Sequence, residues 1–399
     1  MKKPMVQLMC AVAAAMSVGA QAQEASATSL KEALTEADVK LNLRLRYEDV
    51  SWDGLEDSDA LTLRTRLSFT SADYHGFGLM LEMDDVTALT DVDYRTAGND
   101  ANNAGTALIA DPEGTEVNQS YLSYQGFGTT FRYGRQRILL DNQRFVGGVG
   151  WRQNEQTYDA FSLKNQSLED VTLFYSYLYN VNRIFGEDNP IGDHKHESHL
   201  LNANFGGWDA GSLSAYAYLL DNKTAAALSS DTYGARWMGT VGAAFTYNLE
   251  YASQSDAGDN PVSYDADYML AEAGLMAGPV KLVGGYELLG SDNGVAAFST
   301  PLATLHKFQG WTDRFLTTPV DGVEDFYVSV SGALAGVKLL AAYHNLASDY
   351  GNTDYGQELD LSAAKQLGPV TVLVKYADYQ ADDFGSDTQK FWLQLSSVF

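Results

Sequence analysis

From residue 38 onward the chain alternates apolar and polar residues in segments about ten residues long. Val39, Leu41, Leu43, Leu45 and Tyr47 interleave with Lys40, Asn42, Arg44, Arg46 and Glu48. A period of two places these sets on opposite faces of an extended strand. The next segment repeats the pattern, with Leu61, Leu63, Leu67 and Phe69 against Thr62, Arg64, Arg66 and Ser68. A soluble sandwich also alternates, but it seldom sets so many arginines opposite its apolar face. A tilted strand of nine to eleven residues crosses a bilayer core. The pattern therefore predicts an all-β fold: a transmembrane antiparallel β-barrel with lipid outside and water within.

About eighteen such segments are legible, beginning near Val39, Leu61, Leu79, Val117, Thr130, Thr157, Val171, Leu200, Ser212, Thr232, Ala244, Asp267, Val280, Asp325, Val337, Glu358, Val370 and Thr388. The connections alternate between short and long. Gly126-Phe127-Gly128, Gly239 to Gly242, Ala277-Gly278-Pro279, Ala335-Gly336 and Gly368-Pro369 carry turn chemistry, whereas Asp85 to Glu116, Gly186 to Ser198 and Gly290 to Glu324 are long. Short periplasmic turns and long extracellular loops are the outer-membrane pattern. An even count leaves both termini on one side. The last segment places Phe391, Leu393, Leu395, Ser397 and Phe399 on one face, and a strand ending in Phe resembles the signal read by the outer-membrane assembly machinery. Tyr47, Tyr175, Tyr177, Tyr247, Tyr251, Tyr286, Tyr343, Tyr376 and Phe399 are expected in the interfacial girdle.

The N-terminus divides into a leader and a short spacer. Lys2 and Lys3, the apolar run Met5 to Ala20 and the small residues Ala20 and Ala22 read as a secretory signal over 1–22. Residues 23–37 form a periplasmic segment, with Ser29 and Glu32 as a capping box opening a helix over Leu30 to Ala37, and 38–399 form the barrel. Cys10, the only cysteine, lies in the leader, which excludes disulfides and thiol catalysis. The formal charge of -26 becomes -26 - 2 = -28 without the two lysines, so nucleic acid is excluded as a partner.

What lines the lumen decides what such a barrel does, since eighteen strands enclose a channel unless something fills it. Lys40, Arg44, Arg46, Arg64 and Arg66 stand on the inward faces of the first two segments. Arg132, Arg135, Arg137, Arg144, Arg152, Arg183 and Arg236 continue the series, and 11 of the 13 arginines fall between Arg44 and Arg183. Glu82, Asp84, Glu250, Glu272, Glu287, Glu358 and Asp360 are inward acids. Three readings follow: a cationic track for anions, a transverse field like that of a diffusion porin, or arginine–carboxylate pairs that stiffen the wall. A guanidinium fork suits the first because it binds carboxylates with two parallel bonds.

Arg132-Tyr133-Gly134-Arg135-Gln136-Arg137, Arg144-Phe145-Val146-Gly147, Trp151-Arg152-Gln153, Gln156-Thr157-Tyr158-Asp159, Thr300-Pro301-Leu302 and His306-Lys307-Phe308-Gln309-Gly310-Trp311 resemble the bacterial alginate-export outer-membrane family. That resemblance implies a porin-like barrel whose arginine-rich lumen passes a polyuronate.

The remaining motifs carry less chemistry. Asp193, His194, His196, Glu197 and His199 fall beside a polar loop, where solvation is the simpler reading than metal. His344 is expected to line the pore. No nucleophile and histidine pair emerges, so neither an enzyme nor a cofactor is expected. Gly290 to Glu324 carries Phe298, Phe308, Trp311 and Phe315 around Lys307, Asp313 and Arg314, and either folds inward as a constriction or packs on neighbouring loops. Phe308, Trp311 and Arg314 are its constriction candidates. The expected function is a passive channel for anionic saccharides or organic anions, embedded in lipid and lipopolysaccharide. The alternatives are a porin without anion preference, or a plugged barrel serving as adhesin or enzyme.

Overall fold

The structure, a computed structural model, describes residues 26–98 and 103–399. The leader expected over 1–22 lies outside the described residues. Eighteen strands follow one another: β1 (Asp38–Trp52), β2 (Ser58–Thr70), β3 (Phe77–Ala88), β4 (Gly114–Gly126), β5 (Thr129–Gln136), β6 (Thr157–Asn165), β7 (Val171–Asn182), β8 (Asp193–Trp208), β9 (Gly211–Leu220), β10 (Ser230–Val241), β11 (Phe245–Asp256), β12 (Asp265–Ala277), β13 (Val280–Leu289), β14 (Val323–Leu334), β15 (Val337–Ala347), β16 (Asp354–Leu367), β17 (Val370–Ala381) and β18 (Thr388–Val398). Each pairs antiparallel with its sequence neighbours, and β18 returns to β1 with Asn42 opposite Val398 and Trp52 opposite Thr388. Closure leaves no unpaired edge, which is what hydrocarbon demands of a sheet.

Alternation fixes the two faces. Leu67 and Leu122 are 51% and 62% exposed on the outside, while Arg46, Arg64 and Arg66 are buried on the inside. Among the described residues no helix is long and apolar enough to cross a membrane, so the strands do the crossing. Phe127-Gly128 and Ala335-Gly336 close two-residue turns with φ of 54° and 67°, and 51° and 76°. Positive φ at both positions is the hairpin turn whose twist matches the strands, and glycine takes the second position without a Cβ clash. At the opposite rim, outward Tyr251 donates to Asp267 at 2.8 Å and Tyr286 to Glu324 at 3.0 Å, keeping each hydroxyl satisfied where hydrocarbon gives way to water.

The observed strands begin within four residues of the expected positions, except β8. It begins at Asp193 rather than Leu200 because Lys195 and Glu197 alternate with buried His194, His196 and Ser198. A strand that projects beyond the bilayer needs no apolar outer face, so hydropathy hides it. The helix α1 (Leu30–Thr35) stops short of Ala37. Ser29 Oγ accepts from Glu32 N at 3.2 Å, and the Glu32 carboxylate reaches back to Thr28 N at 2.7 Å and to the backbone N–H of Ser29. The helix rides on the β2–β3 turn, where Ala33 O accepts from Ala72 N and Ala27 N donates to Asp73 O.

Candidate functional site

Two loops, 137–156 between β5 and β6 and 290–322 between β13 and β14, turn into the barrel and meet there. Val146 bridges Leu302, Gly147 N donates to Leu302 O at 2.8 Å, and Thr304 N donates to Gln143 O at 3.0 Å. Phe145, Phe298 and Leu302 are buried with wall residues Leu200, Tyr216, Tyr218 and Tyr268 in one apolar cluster. Phe145 lies 5.2 Å, ring to ring, from both Tyr216 and Tyr268. Each such side chain contributes about 1.5–3 kcal/mol of burial, which holds the loops inside. The longer loop therefore folds inward, and the shorter one joins it.

The wall formed by β1 to β3 grips the 137–156 loop with arginines. Arg44 stands opposite Arg64 in the ladder. Arg44 Nη1 faces the carbonyl oxygens of Gly150, Trp151 and Arg152 at 3.2, 3.3 and 3.0 Å. Arg64 donates to Asn42 at 2.7 Å and approaches Gln153 O at 3.4 Å. Arg46 donates to Trp151 O at 2.5 Å and to Gln394 at 2.7 Å, meets Asp111 at 3.3 Å, and lies 4.1 Å from the Trp151 ring centroid. Arg66 forks onto Asp84 at 2.6 and 2.5 Å and reaches Glu155 at 2.8 Å. Arg137 binds Glu155 at 2.7 Å and Glu82 at 3.1 Å, and Glu82 also accepts from Asn118 and Gln119. Burial opposes ionisation of Glu155, but Arg137 and Arg66 outweigh it and hold the carboxyl well below its usual range. Arg152 crosses to Glu48 at 2.9 Å and to Asp313 of the other loop at 2.9 Å.

The opposite wall, β11 to β16, carries carboxylates whose partners are mostly neutral. Tyr216 donates to Glu250 at 2.9 Å, Tyr268 to Glu287 at 2.7 Å and Tyr327 to Glu272 at 2.8 Å. Glu358 takes the backbone N–H groups of Trp311 and Thr312 and the Thr312 hydroxyl, so it anchors the 290–322 loop. Among the described residues, cations pair with this wall through Arg144, Arg236 and His344. Arg144 Nε lies 2.8 Å from Glu287, Arg236 lies 3.7 Å from Glu250 while donating to Asn248 at 2.8 Å, and His344 pairs with Asp325 at 2.9 Å.

A lysine closes the joint between loops and wall. Lys375 Nζ lies 4.0 Å from the Trp151 ring centroid, 3.6 Å from Trp311 and 5.1 Å from Trp392, and 2.8 Å from His306 Nε2. His306 Nδ1 is 2.7 Å from Asp313, which also accepts from Lys390 at 2.8 Å. Burial, then the Lys375 charge, hold His306 well below the usual imidazole range, so it is neutral, accepts from Lys375 and donates to Asp313. Phe308 lies beneath the Arg144 guanidinium at 4.6 Å and Trp52 beneath Arg314 at 4.2 Å.

The structure thus brings Arg44, Arg46, Arg64, Arg66, Glu82, Arg137, Arg144, Arg152, Arg236, Phe308, Trp311 and Arg314 to the loop-filled lumen. Lys40 lies nearer the turns, exposed and paired with Asp38. Arg132 sits over the Tyr121 ring at 5.1 Å. Arg135 is a correction: it shares a face with Tyr133, which is 63% exposed on the outside, and pairs at 2.9 Å with Asp159. Three residues from Arg132 cannot be the same face of a strand. The histidines of β8 are strand residues rather than solvated loop, and no metal-holding cluster exists among the described residues. Sequence reading did not single out Lys375, Trp392, Asp111 or Glu155. Inward parity of Lys375 and Trp392 was available as a signal; for Asp111 and Glu155, in loops, none was.

Residues 36–274, more than half of the 399, match the family described as alginate export. The chain belongs to that family. No curated protein matches the sequence. Solved structures share the architecture: Pseudomonas aeruginosa OpdK with vanillate is 16% identical with a TM-score of 0.73, covering 92% of this chain and 99% of that one. Pseudomonas aeruginosa OccK9 (OpdG), with a TM-score of 0.71, and Acinetobacter baumannii OccAB2, with 0.70, show the same identity and coverage. Family membership makes the protein a transport channel of the bacterial outer membrane, in the fold that those porin structures share.

Proposed function

We propose that this alginate-export-family channel passively conducts anionic saccharides or small organic anions, favoured by the positive potential of the β1–β2 wall. The observation that carries the reading is the pair Arg44 and Arg64: their hydrogen bonds go to carbonyl and amide oxygens, and no carboxylate ion pair is found for either among the described residues. Neutral partners orient a guanidinium without cancelling its charge, so the wall carries a positive potential into the lumen. Conduction needs contacts that are many and weak. The neighbouring OpdK structure contains vanillate, a carboxylate, which is consistent with this class of solute. Direction follows the concentration gradient.

The test is the reversal potential of purified protein in a planar bilayer under a salt gradient. Anion preference is expected, and replacing Arg44, Arg46, Arg64 and Arg66 by alanine is expected to abolish or reverse it. Cation preference in the unmodified channel rejects the proposal, and a value near zero favours a general diffusion pore.

A further inference from the structure

Over β13 to β17 the outer wall is indented, near the short turns, by an open apolar groove of about 760 Å³. Strand pairing explains the dent. Leu339 stands opposite both Gly332 and Ala363, Ala341 stands opposite Leu361, and Ala363 stands opposite Val374. Gly332, Ala341 and Ala363 have no side chain beyond Cβ and form the floor. Leu339, Leu361 and Val374, exposed by 43%, 40% and 36%, form the banks.

The next outward residue of β16 toward the turns is Lys365, two positions from Ala363 and three from Gly368. A lysine on a lipid-facing wall is retained where its ammonium can reach the headgroups. Three cations project from the outward faces of the described strands. Arg135 pairs with Asp159 at 2.9 Å, and Lys195 pairs with Asp193 at 3.0 Å. Lys365 is exposed and makes neither a hydrogen bond nor an ion pair among the described residues. Its outward neighbours, Val372 across the ladder and Ala363 and Leu367 along the strand, carry no charge.

The short turns face the periplasm, so Lys365 stands at headgroup level in the inner leaflet. From Lys365 to Leu361 is four residues along β16, about 13 Å at ~3.3 Å per residue, comparable with half of a ~30 Å hydrocarbon core. A fatty acyl chain lying in the groove therefore brings its phosphate to the lysine. A second copy of this chain, packed face to face, would use the same patch twice. From the turns up to Val328, Tyr343, Leu359 and Tyr376, the outward residues of β14 to β17 include no acid to meet Lys365.

We propose that this face binds an anionic phospholipid of the periplasmic leaflet, with one acyl chain over Gly332, Ala341 and Ala363 and the phosphate against Lys365. The site lies on the lipid side of the wall and does not depend on which solute the lumen carries.

Native mass spectrometry of the intact protein, released from micelles containing equimolar phosphatidylglycerol and phosphatidylethanolamine, would count the lipids retained. Preferential retention of one phosphatidylglycerol is expected. Lys365→Gln should weaken it about fivefold, the worth of roughly one lysine at an anionic lipid surface, and leave phosphatidylethanolamine unchanged. Ala363→Leu fills the groove with a side chain that hydrocarbon tolerates and is expected to reduce retention of both lipids; Ala341→Leu serves if that variant fails to assemble. Equal retention of the two lipids by the unmodified protein overturns the proposal. So does an equal loss in Lys338→Gln, whose lysine shares the inward face of His344. A dimer that disappears in Ala363→Leu also overturns it, by assigning the groove to a second copy.

Discussion

The two walls of the lumen hold the loops in opposite ways. On β1 to β3 the wall supplies donors, and arginines reach across to loop carbonyls and to Glu155. On β11 to β16 the wall supplies acceptors, and carboxylates take tyrosine hydroxyls and the N–H groups of Trp311 and Thr312. A hydrogen bond to a neutral partner satisfies geometry while leaving the charge in place. The loops are therefore held between a wall rich in donors and a wall rich in acceptors. The difference is one of compensation: the arginine side includes charge pairs that cannot lose a member, whereas the acidic side is held largely by neutral donors.

That contrast can be broken by substitution. Arg152→Ala removes the cation that serves Glu48, Asp111 and Asp313, all buried, and is expected to destabilise the barrel by about 3–5 kcal/mol. The temperature at which the folded band is lost in gel electrophoresis would report it. Glu358→Ala leaves neutral donors unpaired, and the same assay is expected to show a smaller loss, of about 1–3 kcal/mol, with a shift of the reversal potential toward anions. Similar losses in both variants would erase the distinction.

Acidification tests the joint. His306 faces Lys375 of β17, Asp313 of its own loop and Arg152 of the other, with Lys390 of β18 bound to Asp313. Its folded value is depressed, so the unfolded chain binds more protons below the ordinary histidine value of 6.5. Its contribution is complete above that pH and is lost as pH falls toward the folded value. Noisier single-channel current below pH 6.5 is expected, and His306→Gln should respond less. Tyr268→Phe is the smallest change: it removes one donor to Glu287, costs about 1 kcal/mol and leaves selectivity almost unchanged.

Much of the barrel was legible in its residues because lipid on one face and water on the other impose a period of two, with arginines set opposite the apolar face. The ladder from Val39 to Glu48 assigned Arg44 and Arg46 to the lumen without coordinates. Legibility failed where that period loses its cause. Asp193 to Ser198 lies beyond the hydrocarbon, so β8 shows no apolar face there. Arg135, grouped with Arg132 by composition, is divided from it by strand parity. The partners of Arg66 and Arg152 in the loops, Glu155 and Asp313, are set by tertiary contact across many residues, and no local pattern encodes that.

The seam between the first and last strands has a consequence for biogenesis. Leu41 and Phe399 exchange both of their backbone hydrogen bonds, continuing the ladder by which β18 closes the ring on β1. A polypeptide truncated before the eleven-residue β18 would keep β1 and β17 as open margins with their amides unpaired. Such a product could not rest in the bilayer alone, so a single late stop codon would remove the channel entirely instead of leaving a shorter one.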